Sequence, residues 1–76
     1  MTFSVEVKDI NQTDRCAVEL YLDRAALDDL VKQLSFLKAR GDHTHFFTPS
    51  WGDGSLSEVK TGEENTLVNH LRITLL

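Results

Sequence analysis

Cysteine, proline, methionine, tryptophan and tyrosine each occur only once in the 76 residues. A single cysteine, Cys16, cannot form a disulfide within the chain, and this fits a reducing compartment. No apolar run approaches the roughly 18 residues that span a bilayer. The first residues also lack the basic start and apolar core of a signal peptide. The sequence therefore predicts one soluble domain over residues 1–76, located in the cytoplasm and not in a membrane.

Basic residues are scarce as well, since eight Lys and Arg stand against twelve Asp and Glu, for a net charge of −4. A nucleic-acid-binding protein needs a basic face, so nucleic acid is not an expected partner. The imbalance is local, because residues 42–65 contain five acidic residues and only one basic residue, Lys60. This segment is either a solvated loop or an acidic patch that steers a basic protein partner.

Alternating apolar and polar residues over 2–9 and 16–22 predict two strands, which the turn residues 11–14 join as a hairpin. Asp23 is a typical helix cap and Gly41 a typical left-handed stop, so a helix is predicted to end at about Arg40. One apolar stripe at helical spacing is expected to cover the sheet. It comprises Leu27, Leu30, Val31, Leu34 and Leu37.

Phe36 does not belong to that stripe, because it points nearly opposite Leu27 at about 100° per residue. It is either an ordinary exposed aromatic residue or an anchor for a protein partner or for a second copy of the chain.

Residues 43–48 predict a third strand that ends at Pro49, and residues 66–75 predict a last strand inside the sheet. Between them, residues 50–65 are polar without a strong period, which indicates a functional or disordered loop. A short edge strand over 56–60 is the alternative for part of it. Trp51 and Leu56 are expected to fix this loop to the body of the domain.

The predicted fold is therefore a small α+β domain of order β-β-α-β-β. Its sheet is mainly antiparallel, with four or five strands, and the helix packs on one face. The other face of the sheet is expected to be solvated or used for binding. Its residues are Ser4, Glu6, Lys8, Glu19, Tyr21 and Arg72.

Histidines provide the main candidate for metal chemistry. His43 and His45 lie on one side of the third strand, about 6.5–7 Å apart, and His70 joins them if the strands pair in register. Three imidazoles suit zinc; the alternative is that the rings hydrogen-bond within the fold. An enzyme is not expected, because no nucleophile elbow is present and the chain has little room for a deep pocket. No cofactor is expected either.

Three segments together look like the bacterial immunity protein 32 family: residues 41–52 (Gly-Asp-His-Thr-His-Phe-Phe-Thr-Pro-Ser-Trp-Gly), 56–58 (Leu-Ser-Glu) and 69–73 (Asn-His-Leu-Arg-Ile). The resemblance covers about residues 41–75. It implies an immunity protein of a bacterial toxin system, which neutralises a cognate protein toxin by binding it and has no catalytic residue.

Two sources of candidate partner-binding residues follow: the acidic segment with its aromatic residue, and the exposed position on the helix. The residues are Trp51, Asp53, Glu58, Glu63, Glu64 and Phe36. Two other functions stay open. One is a small metal- or ligand-binding domain that uses His43, His45 and His70, and the other is a structural homodimer.

Overall fold

The computed structural model describes residues 1–9 and 16–76, so the predicted turn at 11–14 lies outside the described residues. The elements follow the predicted order, except that the last strand is divided in two. They are β1 (Phe3–Asp9), β2 (Cys16–Leu22), α1 (Arg24–Arg40), β3 (His43–Phe47), β4 (Thr66–Leu67) and β5 (His70–Thr74).

Both ends of α1 are set by the residues that the sequence indicated. Asp23 has an extended backbone, and its Oδ1 accepts a hydrogen bond of 2.8 Å from the amide of Ala26. At the other end Gly41 has φ +77°, and its amide donates to the carbonyl of Leu37 at 2.7 Å. A residue with a side chain is strained at this φ, so Gly41 is the natural stop.

The buried face of α1 differs from the predicted stripe. Ala26 and Leu37 are buried and Leu30 is partly buried against the core. Leu27, Val31 and Leu34 remain 39–56% exposed. These three lie about 80–140° around the helix from Ala26. The small Ala26 side chain belongs to the line of contact with the sheet, so most of the predicted stripe is turned aside from it.

The strands form two sheets instead of one sheet of four or five strands. One sheet has the order β2-β1-β4 and the other pairs β3 with β5, and all pairs are antiparallel. The C-terminal segment links them, because the Val68 amide bonds the carbonyl of Val5 and the Thr48 amide bonds the carbonyl of Asn69. The predicted last strand is therefore paired on both of its parts, but it leaves β1 before it pairs with β3 and so lies in two sheets.

Residues 55–57 fill the opening where the two sheets separate. The Ser57 amide donates to the Phe3 carbonyl at 2.6 Å, and the Leu56 amide donates to the Phe47 carbonyl at 2.8 Å. The Leu56 side chain is 1% exposed and belongs to the core. The alternative of a short edge strand over 56–60 is therefore not what the structure shows, since residues 56 and 57 bridge β1 and β3 instead.

The core lies between α1 and the inner faces of both sheets. The rings of Phe3 and Phe46 meet edge to face, with centroids 5.5 Å apart and an angle of 65°. The buried cluster consists of Phe3, Val5, Ala26, Phe46 and Leu56. In the described part of the chain, no helix combines the length and apolar character needed to cross a membrane.

Candidate functional site

A buried carboxylate, Glu6 of β1, organises the acidic loop (residues 50–65). The Glu6 Oε1 atom accepts hydrogen bonds of 2.9 Å from the Gly62 amide and from Nδ2 of Asn65. Its Oε2 atom accepts 2.9 Å from the Thr61 amide and 2.6 Å from the Ser4 hydroxyl. One strand residue thus fixes both backbone and side-chain groups of a distant loop.

This arrangement corrects, for Ser4 and Glu6, the prediction that the outer face of the sheet is solvated or used for binding; Lys8 and Arg72 of that face are exposed. Ser4 and Glu6 are both 0% exposed, because the loop crosses over them. Burial raises the pKa of a carboxyl group, but the hydrogen bonds from Ser4, Thr61, Asn65 and Gly62 outweigh this effect. The pKa of Glu6 is lowered from 4.5 to about 2. Glu6 is therefore a buried anion that needs these donors, and the donors need its charge.

The first half of the acidic loop is a compact turn. The amides of Trp51 and Gly52 both donate to the carbonyl of Thr48, at 3.0 and 2.9 Å. Gly52 lies so close to Phe47 that an added Cβ would stand 2.8 Å from its ring. Asp53 then accepts from the amide and hydroxyl of Ser55, and these two bonds lower the pKa of Asp53.

Glu58 closes the turn by accepting a hydrogen bond from the Ser50 amide. Hydrogen bonds from the Ser50 side chain and backbone lower the pKa of Glu58. This bond joins Ser50 to Glu58, and each of these residues is followed in the chain by an apolar residue, Trp51 and Val59 respectively. Trp51 is 64% exposed and Val59 is 79% exposed.

The predicted partner-binding acids are all exposed on this loop: Asp53, Glu58, Glu63 and Glu64. Their backbone is held at two places, because Leu56 is buried in the core and Glu6 accepts hydrogen bonds from Thr61 and Gly62. The expectation that both Trp51 and Leu56 fix the loop is half right. Leu56 is buried, whereas the Trp51 ring stands largely in solvent because the turn is already closed by Thr48 and Glu58.

Phe36, the remaining predicted partner residue, is not shown to join the acids. It is 46% exposed on α1, and the Arg40 guanidinium lies over its ring at 5.8 Å from the centroid. The two line a shallow depression of about 230 Å³ with the start of β3, including His43 and Thr44. The structure thus places Phe36 on the β3 side of the helix.

The three histidines gather on the outer face of β3 and β5, as the in-register pairing predicted. His45 Nδ1 lies 2.7 Å from His70 Nε2, at hydrogen-bond distance. The Phe47 ring stacks on His70 with centroids 4.5 Å apart and an angle of 13°. His43 turns aside, and its Nδ1 bonds Oδ1 of Asp42 at 2.8 Å. Together His43, His45, His70 and Phe47 form the histidine cluster.

The geometry of the histidine cluster favours the hydrogen-bonded alternative. Burial lowers the pKa of His45, and its neighbours His43, His70 and Arg72 lower it further because a second positive charge beside them is unfavourable. A hydrogen bond between two ring nitrogens needs one of them to carry the proton and the other to accept it. Among the described residues, no group of three or more His, Cys, Asp or Glu side chains is arranged to hold a metal ion.

Glu6 is the residue of this site that the sequence reasoning missed. Its alternation in β1 assigned it to a face that is solvated or used for binding, and its partners in the loop lie 55 to 59 residues away. The only local signal is Gly62, where an added Cβ would lie 2.2 Å from Asn65 Nδ2. A glycine followed closely by asparagine indicates a tight turn but not the carboxylate that it surrounds.

Comparison with known proteins finds no relative of this chain: no family model, no curated protein and no solved structure matches it.

Proposed function

We propose that this chain is a non-catalytic binding protein, an immunity protein that neutralises a cognate protein toxin by covering a basic surface of that toxin. The observation that supports it most is the acidic loop, which presents four exposed carboxylates on a backbone fastened by Glu6 and Leu56.

Fastening matters because a flexible loop loses conformational freedom when it binds. Each immobilised side chain or loop segment lowers the affinity that contacts would otherwise give. Here Leu56 is buried and the amides of Thr61 and Gly62 already have partners in the free protein. The conformational entropy of the loop is therefore lost on folding and not on binding. The acids are already in place when a partner of opposite charge arrives.

Charge gives this surface its selectivity. The loop contains four acids and one base, Lys60, whose ammonium donates to the carbonyl of Glu63. Exposed carboxylates attract a basic protein over about one Debye length, near 10 Å at 0.1 M salt, and speed its association. The affinity for the toxin should therefore fall as salt rises.

Two exposed apolar side chains supply the short-range part of the contact. Trp51 and Val59 follow Ser50 and Glu58 in the chain, which are joined by a hydrogen bond, and both apolar side chains are exposed. Tryptophan is among the residues most often found as an energetic centre of interfaces, where the surrounding contacts exclude water from it. Trp51 is exposed on the loop that also carries the four acids, so it is the candidate centre of the contact.

The test uses the protein encoded beside this gene as the candidate toxin. Glu63→Lys with Glu64→Lys reverses two exposed charges, and Glu58 is left alone because it holds the turn. Asp28→Lys with Asp29→Lys is the matched control, with the same charge change on α1. Affinity is measured by calorimetry and protection by growth on co-expression.

We expect the loop variant to bind at least about tenfold more weakly than wild type and the helix variant to bind as wild type does. Equal affinity for both variants would contradict the assignment of the acidic loop. No binding to that protein by any form would contradict the proposed function itself.

A further inference from the structure

Five exposed apolar side chains lie on the side of the domain away from β3. Val18 and Leu20 of β2 share the inner face of the sheet with Val5 and Val7, their partners across the hairpin. Phe36 lies about 80° around α1 from Ala26, in the opposite direction to Leu27, Val31 and Leu34. It lies toward β3. The opposite flank of α1 therefore turns toward β2. The apolar flank comprises Val18, Leu20, Leu27, Val31 and Leu34, each 39–60% exposed.

Beside this flank, β2 is the outer strand of its sheet, in the order β2-β1-β4. The amide of Asp23 donates to the carbonyl of Thr2, which makes this a hydrogen-bonded pair of the hairpin ladder. Such pairs alternate in an antiparallel ladder. The N–H and C=O groups of Val18, Leu20 and Leu22 therefore point outward, along the open edge.

The edge has few of the usual features that prevent a strand from pairing, and its one charged residue, Glu19, accepts a hydrogen bond from Asn65 within the same copy. β2 contains no proline and no lysine, and its register with β1 runs over seven consecutive pairs without a bulge. A strand of this kind next to exposed apolar side chains is a ready template for another strand.

We infer that the open edge of β2 and the apolar flank bind a second copy of this chain. The two β2 strands pair antiparallel about a two-fold axis at Leu20, so that the sheets of both copies become continuous. The flanks of the two α1 helices then lie on the same face of that sheet, on either side of the axis.

The register follows from hydrogen bonding and charge. With the axis at Leu20, this residue faces its own copy and Val18 faces Leu22 of the second copy. These are the residues whose backbone groups point outward, so each pair exchanges two hydrogen bonds. Glu19 then faces Tyr21. Moving the axis to residue 19 sets Glu19 against itself, and moving it to residue 21 sets Glu19 against Asp23; like charges directly opposite are destabilising.

The area is sufficient for a specific dimer. Five side chains at this exposure present on the order of a few hundred Å² of apolar surface, comparable to the largest patch of a typical monomer. Two copies, with their strand edges, bury roughly 1,000–1,200 Å², the size at which small specific interfaces begin. A two-fold axis also sets the apolar flank of one copy against the same flank of the other copy. The two surfaces are then apolar on both sides without any further partner.

The first test is the molar mass in solution, by sedimentation equilibrium from about 1 µM to about 500 µM. Wild type is expected to reach twice the 8.6 kDa of one chain. Val31→Glu, at an exposed position of α1, should weaken the dimer at least tenfold while keeping the wild-type circular dichroism. Val59→Glu makes the same change at an exposed valine of the acidic loop and should leave the dimer intact.

Wild type that stays monomeric throughout would overturn the inference. So would a dimer that Val59→Glu dissociates and Val31→Glu does not. Neither experiment involves the toxin, so this inference and the proposed function can fail separately.

The second test reads the register. In a Cys16→Ser background, Leu20→Cys places two thiols directly opposite each other, about 5.5 Å apart at Cα, which suits a disulfide. Val18→Cys is the control, because its two copies would be about 13 Å apart along the paired strands. Mild oxidation should cross-link the first variant and not the second. Equal cross-linking, or cross-linking of the second alone, would contradict the axis at Leu20.

Discussion

Replacing Glu6 by glutamine tests the anchor of the acidic loop, because it removes the charge and keeps the size of the side chain. Glutamine has one acceptor oxygen, whereas both oxygens of Glu6 accept two hydrogen bonds each. The Ser4 hydroxyl can rotate to accept from the new amide. If the glutamine NH₂ group replaces Oε2, the Thr61 amide loses its acceptor. If it replaces Oε1, the Gly62 amide and Nδ2 of Asn65 both lose that acceptor.

The magnitude follows from the pKa. A shift from 4.5 to about 2 corresponds to about 3 kcal/mol of preference for the ionised group in the folded protein. An orphaned buried donor costs about 1–3 kcal/mol, which agrees with that figure. We therefore expect Glu6→Gln to lower the free energy of unfolding by about 3 kcal/mol at pH 7, a large part of the stability of a domain this small.

The pH dependence gives a sharper result. Because the folded pKa lies below the unfolded value of 4.5, the Glu6 carboxylate stabilises the fold fully above about pH 4.5. That contribution is lost as pH falls from about 4.5 toward about 2. The difference between wild type and Glu6→Gln should therefore shrink over this interval.

Urea unfolding followed by circular dichroism measures both effects. Glu63→Gln is the matched control, since Glu63 is exposed on the same loop and should change stability by less than about 0.5 kcal/mol. Wild-type and Glu6→Gln stabilities that run parallel from pH 2 to pH 7 would refute the role assigned to the buried carboxylate.

Three further changes test the turn, the histidine cluster and the bridge between the sheets. Gly62→Ala should lower the free energy of unfolding by about 1–2 kcal/mol, because the new Cβ would lie 2.2 Å from Asn65 Nδ2 and would displace that side chain. Unchanged urea unfolding would contradict this. Burial and nearby positive charges lower the pKa of His45, so its stabilising effect is present above the unfolded pKa of 6.5 and is lost as pH falls. Wild type should therefore lose more stability than His45→Gln below pH 6.5, and identical pH profiles would be the contrary result. Leu56→Ala should cost about 2–5 kcal/mol as a buried leucine of the core, and a loss under 1 kcal/mol in thermal unfolding would show that residues 55–57 do not join the sheets.

Features determined by neighbouring residues could be predicted from the sequence. Asp23 and Gly41 set the ends of α1 through contacts within one helical turn, and both predictions are confirmed. The approach of His45 to His70 was also predictable, because strand periodicity assigns both to one face once β3 and β5 pair in register.

Features that depend on distant residues were not predictable. The buried face of α1 is set by how the sheets separate beneath it, so Leu27 and Leu34 are exposed although they fit the helical stripe. Glu6 fits an outward-facing strand position equally well, and only the return of the loop over β1 buries it. The periodicity of neighbouring residues predicts which side chains share a face of a helix or strand. Which segment covers that face depends on residues that are distant in the sequence.

The central claim is that the acidic loop is held rigidly by Glu6 before any partner binds. Amide hydrogen exchange at Thr61 and Gly62 in the free protein tests it most directly, because both amides donate to the Glu6 carboxylate. We predict protection of these two amides close to that of β1, and loss of that protection in Glu6→Gln. Exchange of both amides at the rate of an exposed loop in the wild-type protein would contradict the claim.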